Sequence, residues 1–262
     1  MSFFSAVRFI KYLMFSRHRN GHGIHSPFAF DLVSGIFRNK IEPGIVLSIE
    51  KTRSRLLSDP RSIKVNDLGA GSDKMKTSLR KVSDITRYSA VPKKYGLLLS
   101  NLSKAFGKPL VLELGTSVGI GTMYMAASCG SSTVVTIEGC RETSDIAKAN
   151  FREARYTNIR LLNGSFESIL PQLVTEKITP GLVFIDGNHR KEPLLRYFNQ
   201  VADMSDNNSV VIIDDINYSR EMADAWAEIR NHKNVTLSVD IFRMGIVFFR
   251  KERNHFNYVV RY

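Results

Sequence analysis

Two sets of residues in this sequence could do chemistry together. The apolar run Val111 to Leu114 carries Glu113 and enters a turn with glycines at 115, 119 and 121. Further on, acidic residues close three more apolar runs. Glu138 follows Thr133 to Ile137, Asp186 follows Leu182 to Ile185, and Asp214-Asp215 follows Val210 to Ile213. A glycine turn lets a ligand approach the backbone, because no side chain stands in the way. The dinucleotide fingerprint needs glycine at the first, third and sixth positions of such a turn. Counted from Gly115, those last two places hold Ser117 and Ile120, so the fingerprint fails. The phosphate-cradling loop that ends in Gly-Lys-Ser/Thr fails as well, since Gly121 leads into Thr122-Met123. An acid about twenty residues past a glycine turn suits a ribose diol, whose two hydroxyl hydrogens one carboxylate can accept. Glu138 stands there.

These residues need a scaffold that sets them on one edge. The short β-branched runs read as buried strands, with Ile159 to Leu162 as a further one. Helical patterns separate them, including Glu142 to Ala154 and a leading helix over Pro92 to Phe106. Alternating strands and helices predict a parallel sheet with helices on both faces. Two last β-rich runs, Val235 to Ile241 and Gly245 to Phe249, are joined by Phe242-Arg243-Met244, a length suited to a hairpin.

The order of these parts resembles the class I S-adenosylmethionine-dependent methyltransferases. Phe184-Ile185-Asp186-Gly187-Asn188-His189 is similar to the Phe-Ile-Asp-Gly-Asp-His signature of the metal-dependent O-methyltransferases related to macrocin O-methyltransferase. Catechol and caffeoyl-CoA O-methyltransferases are more distant relatives. The resemblance covers about Leu97 to Arg250. It implies an α/β, Rossmann-like fold: a mostly parallel seven-stranded sheet with an antiparallel C-terminal hairpin, here preceded by a mainly helical N-terminal extension. Residues 1–91 are then the extension and 92–262 the methyltransferase domain. The implied cofactor is S-adenosylmethionine, held by Glu113, Gly115, Thr116, Ser117, Gly119, Glu138, Gly139 and Asp186. Glu113 would meet the amino group of the methionine moiety or cap the following helix. Many members carry an adenine-binding aspartate after the third strand. Here Asn163-Gly164-Ser165-Phe166 offers Ser165 as an uncharged hydrogen-bonding group and Phe166 as an apolar wall.

In an open parallel sheet, ligands bind beyond the carboxyl ends of the strands. Asp186, Asp214 and Asp215 would converge there, and three carboxylates repel unless a cation sits among them. Mg²⁺, or another divalent ion, suits hard oxygen ligands and could hold a substrate alkoxide. The alternative for Asp214-Asp215 is a pair of helix caps. In the resembled family the histidine matching His189 is a candidate general base, and imidazole suits proton removal near neutrality. A loop histidine with no chemistry is the alternative. Asn217, Tyr218 and Arg220 follow the fifth strand within reach of a substrate.

The first hundred residues are harder to read. Residues 2–15 form a mostly apolar helix with a polar stripe at Ser5, Arg8 and Lys11, too short and charged to span a membrane. Burial against the core or in a homodimer is expected, with peripheral membrane contact as the alternative. Ser26 and Pro27 read as the N-cap and first residue of a second helix. The histidine–glycine loop before them, with His22 and His25, resembles Bacteroidetes-type methyltransferases and points to loop packing or substrate contact rather than metal. A second glycine turn, Val65 to Ser72, lacks the company of a following strand and acid, so it reads as a local turn.

Two cysteines, Cys129 and Cys140, give no disulfide framework and fit a reducing cytoplasm. The net charge of +12 suits an anionic partner, whether a phosphorylated or carboxylated small substrate, anionic lipid or nucleic acid, although the basic residues are spread along the chain as on a solvated basic surface. Methyltransferases of amino groups on nucleic acid or protein usually carry an Asn/Asp-Pro-Pro-aromatic segment where this chain has Asp186-Gly187-Asn188-His189, and nucleic acid is not the expected partner. A cofactor-binding or membrane-associated module without turnover is the competing class, and a nucleic-acid methyltransferase is a further alternative.

Overall fold

The computed structural model describes residues 3–16, 21, 23–66, 77–251 and 255–262. Its centre is a sheet built from the apolar runs. The strands β3 (Leu110–Leu114), β4 (Thr133–Glu138), β5 (Ile159–Asn163), β6 (Leu182–Ile185) and β7 (Val210–Ile213) are all parallel neighbours. Before them come α1 (Phe3–Phe15), α2 (Pro27–Ser34), α3 (Pro43–Leu57), β1 (Ser62–Lys64), β2 (Leu79–Lys81), α4 (Val82–Ser89) and α5 (Lys93–Phe106). Among and after the strands lie α6 (Ile120–Ala126), α7 (Arg141–Glu153), α8 (Phe166–Thr175), α9 (Lys191–Met204) and α10 (Arg220–Ile229). The chain ends with β8 (Leu237–Asp240), β9 (Gly245–Phe248) and β10 (Phe256–Val259).

The strand order is β10-β8-β9-β7-β6-β3-β4-β5. From β3 the chain winds outward to β5, then crosses back to β6 on the other side of β3. The crevice between the carboxyl ends of β3 and β6 is therefore the switch point at which open sheets of this kind bind ligands. The antiparallel hairpin is present: β9 pairs with β7 and with β8. The sheet is one strand wider than the expected seven. β10 adds in parallel to β8, Phe256 opposite Leu237 and Val259 opposite Asp240, and so covers an edge that would otherwise expose unpaired backbone groups.

Continuous apolar strands follow from burial on both faces. Val111, Phe184, Val210 and Ile212 point into one cluster with Leu98, Leu99 and Met123 of α5 and α6. Leu112, Leu114, Val183, Ile185, Val211 and Ile213 point into the other, with Leu170, Leu194, Phe198 and Trp226 of α8 to α10. Leu32, Ile49 and Ile85 from α2, α3 and α4 join the first cluster. Ser26 caps α2 by accepting the Ala29 amide, with Pro27 in the first turn. His25 is exposed. His22 and the second glycine turn, Gly69 to Gly71, lie outside the described residues, and the strands flanking that turn, β1 and β2, form a small antiparallel pair.

Helix α1 buries only Tyr12, whose hydroxyl donates to the Val260 carbonyl and accepts from the Tyr262 amide. Phe9 packs edge-on against Phe242, in the turn between β8 and β9. Phe3, Ile10, Met14 and Phe15 stay exposed. No helix among the described residues is long and apolar enough to cross a membrane.

Candidate active site

The glycine turn leaves β3 at Gly115, whose φ is +108°. A Cβ there would stand 2.1 Å from the carbonyl oxygen of Asp186, at the end of β6. The first and fourth strands of the winding thus touch through bare backbone at the switch point. The Gly115 and Thr116 amides both donate to the Ile137 carbonyl, which ties the turn to β4 as well. Gly119, also left-handed, caps α6. The Ser117 amide donates to Glu138 Oε2 at 2.8 Å, and the Cys140 amide, beyond Gly139, donates to Oε1 at 3.0 Å. Glu138 is thereby fixed beside the turn and only partly buried. The Ser117 hydroxyl oxygen is buried and has no partner among the described residues. A cleft runs along this turn, walled by Gly115, Ser117, Asp186 and, just beyond the end of α4, Val91. The bare turn, the orphaned hydroxyl and the fixed carboxylate fit S-adenosylmethionine.

Glu113 lies beneath the turn, completely buried. Thr122 and Thr136 donate their hydroxyls to its Oε2 at 2.5 and 2.6 Å, and Thr116 continues the chain to Thr136 at 2.6 Å. It takes side-chain hydroxyls rather than capping the backbone of α6. Burial is the main cause that raises its pKa to about 7, against the two threonine hydrogen bonds. Raised in the folded state from an ordinary 4.5, this group contributes stability that is complete below pH 4.5 and lost as pH rises through about 7. Glu113→Gln keeps an acceptor for both threonines and removes the titration. Its stability relative to the wild type should rise by about 3 kcal/mol between pH 5 and pH 9 in urea unfolding. A difference independent of pH would refute this account.

Ser165 caps α8, accepting from the Ser168 amide at 3.2 Å and donating to the Ser168 hydroxyl at 3.1 Å, so its side chain is already engaged. Phe166 stands where a Cβ on Gly187 would collide with its ring, at 2.7 Å, and packs edge-on against Tyr197. It borders the loop that carries Asp186.

Asp186, Asp214 and Asp215 converge at the ends of β6 and β7. Burial first, then Asp214 and Asp215, push the Asp186 carboxyl well above the usual range. His189 Nε2 is 3.8 Å from Asp186 Oδ1, and its ring lies 6.1 Å from that of Tyr218. The positive charge among the carboxylates belongs to Arg243, from the turn between β8 and β9. Its Nε donates to Asp214 Oδ1 at 2.9 Å and its Nη2 to Oδ2 at 2.6 Å, while Asp215 Oδ1 is 3.6 Å from the same Nη2. Asp214 is fully buried. Burial works against the Arg243 charge, but Asp214 and Asp215 outweigh it and hold its pKa above the ordinary value. Both Asp214 oxygens already accept from a guanidinium, so the expected metal ligands Asp186, Asp214 and Asp215 do not fit a divalent ion as they stand. Among the described residues no group of three His, Cys, Asp or Glu side chains is arranged to hold one.

Sequence reasoning missed Arg243, Tyr95 and Val91. The guanidinium of Arg243 sits 5.5 Å from the Tyr95 ring centre on α5. One signal was available: a lone arginine in a turn between two apolar strands.

Residues 112–216 match the family described as Methyltransferase domain. That stretch is similar to methyltransferase domains. The matched stretch spans the glycine turn, Glu138, Asp186, His189 and Asp214-Asp215, and leaves Arg243 and the N-terminal helices outside it. A catechol O-methyltransferase of Niastella koreensis is 30% identical over 126 residues, 47% of this chain and 55% of that protein. The chain spans about half the length of the curated relatives it matches. Among solved structures, an O-methyltransferase from Bacillus cereus in complex with S-adenosylhomocysteine superposes with a TM-score of 0.57 at 19% identity, covering 79% of this chain and 92% of that one. The O-methyltransferase TomG of Streptomyces achromogenes, from tomaymycin synthesis and in complex with S-adenosylmethionine, gives 0.57 at 18% identity over 85% and 96%. At these identities the likeness is one of fold, and the chain shares the Rossmann-like fold of the class I methyltransferases.

Proposed function

We propose that this chain is an S-adenosylmethionine-dependent O-methyltransferase acting on a hydroxyl-bearing small molecule. The observation that carries the reading is the contact of Gly115 with the Asp186 carbonyl, which joins two half-sites. On one side stand the bare turn and Glu138, on the other Asp186 and His189. Relatives named as O-methyltransferases support oxygen as the acceptor atom. Two buried free thiols, Cys129 and Cys140, support a reducing, cytoplasmic setting.

Glu138 would hold the ribose hydroxyls, Ser117 would line the path of the methionine moiety, and Phe166 would offer a wall for the adenine. His189, beside Asp186, takes the proton from the substrate hydroxyl. When bound, S-adenosylmethionine supplies a methyl group on a sulfonium: the substrate oxygen forms the new C–O bond as the S–C bond breaks, and a neutral thioether leaves. Positioning of the two reactants dominates such a transfer.

Calorimetric titration of the full chain with S-adenosylmethionine tests the reading, and a chain that binds none would overturn it. His189→Ala should keep cofactor affinity and slow methyl transfer to a catechol-type acceptor by about 100-fold. A binding module without turnover would take up the cofactor and methylate nothing, with or without His189.

A further inference from the structure

The guanidinium of Arg243 is built into the carboxylate cluster. The turn that presents it is held from several sides. The Phe242 amide donates to Asp240 Oδ1 at 2.7 Å, and the Asn217 side-chain amide donates to the Phe242 carbonyl at 2.7 Å. The Ile216 amide donates to the Arg243 carbonyl at 3.1 Å. Phe242 takes a left-handed φ of +71° and is gripped by Phe9 and Tyr12 of α1. Arg8 of α1 in turn donates to Asn217 at 2.7 Å. A surface arginine that happened to swing over an acid would need none of this support.

A divalent ion bound by Asp214 and Asp215 would have to share Asp214 oxygens that both already accept from Arg243. It would also stand against a second positive charge at contact distance, where repulsion is strong. The two cations exclude each other. A guanidinium does part of what a metal does: it is a fixed positive charge with planar donors that match oxygen anions. Its Nη1 makes no hydrogen bond among the described residues and can face a substrate oxygen.

We propose that Arg243 is the resident cation of this site, standing in the place a divalent metal would take between Asp214 and Asp215, and that the chain holds its substrate oxyanion without such a metal. The substrate part rests on the O-methyl-transfer reading. The cation part does not, and metal binding and unfolding can be read without turnover, so the two fail separately.

The test is a titration of the full chain with MnCl₂, followed by the paramagnetic signal of free Mn²⁺, in the wild type and in Arg243→Met. The wild type should bind no Mn²⁺ at micromolar concentrations, and its unfolding temperature should not respond to MgCl₂ or EDTA. Arg243→Met, with its carboxylates released, should gain at least about tenfold in Mn²⁺ affinity and be stabilised by MgCl₂. One tightly bound Mn²⁺ in the wild type, lost in Asp214→Asn, overturns the proposal. So does a folded Arg243→Met chain that gains no Mn²⁺ binding. Where Arg243→Met does not fold, the wild-type titration decides alone.

Discussion

Gly115→Ala should cost this chain roughly 2–5 kcal/mol of stability, from a left-handed residue gaining a side chain and from overpacking against a neighbour that cannot move. The new Cβ would meet the Asp186 carbonyl oxygen at 2.1 Å and its carbon at 2.8 Å, and both belong to the backbone. Relief requires β3 and β6 to part at their carboxyl ends, where Asp186 is positioned. Gly130→Ala supplies the control. Gly130 has a φ of +65°, but a Cβ there would meet nothing within 4 Å, so only the backbone conformation is penalised, by about 1–2 kcal/mol. Urea unfolding of the two variants separates the effects. Equal losses would show that the close approach of the strands contributes nothing. Cofactor affinity should fall in Gly115→Ala and hold in Gly130→Ala.

Glu138→Ala should lower affinity for S-adenosylmethionine on the order of 100-fold, about 3 kcal/mol, if each of two hydrogen bonds to a charged acceptor contributes about 1.5 kcal/mol. The carboxylate does two jobs. It would accept the ribose hydroxyls, and it accepts the Ser117 and Cys140 amides that shape the turn. Glu138→Gln keeps one carbonyl oxygen and replaces the other with a donor, so it should fall between the wild type and Glu138→Ala. Calorimetry with S-adenosylhomocysteine, which has the same ribose and lacks the sulfonium charge, should show the same loss. A drop of less than about threefold in Glu138→Ala would remove Glu138 from the ribose site.

Much of the architecture was legible in the chain because it is written in local patterns. Leu182 to Ile185 and Val210 to Ile213 are strands because four consecutive apolar residues suit a strand buried on both faces, and the structure gives them those bounds. Ser26-Pro27 marks a helix start by the geometry of its own backbone. The eighth strand was not legible. Phe256 to Val259 is a short run near the chain end, and its strand conformation depends on an open edge at β8, a property of the sheet and not of the tail.

The candidate site divides in the same way. Sequence order alone put Asp186, Asp214 and Asp215 at the ends of neighbouring strands, because strand ends are fixed by where apolar runs stop. It could not say which charge answers them. Arg243 lies 29 residues beyond Asp214 and reaches it only because β9 runs back antiparallel beside β7. Ser165 looked available for a ligand until α8 formed and used its oxygen as a cap. Glu113 was legible as an acid at a strand tip, but its burial under the glycine turn, and the two threonines that surround it, come from β4 and α6 closing over it. Residue type and local pattern determined the strands, the turn and the inventory of charges. Tertiary packing decided which of those charges meet, because pairing across a sheet depends on strand order and direction, and neither is a property of any short stretch of chain.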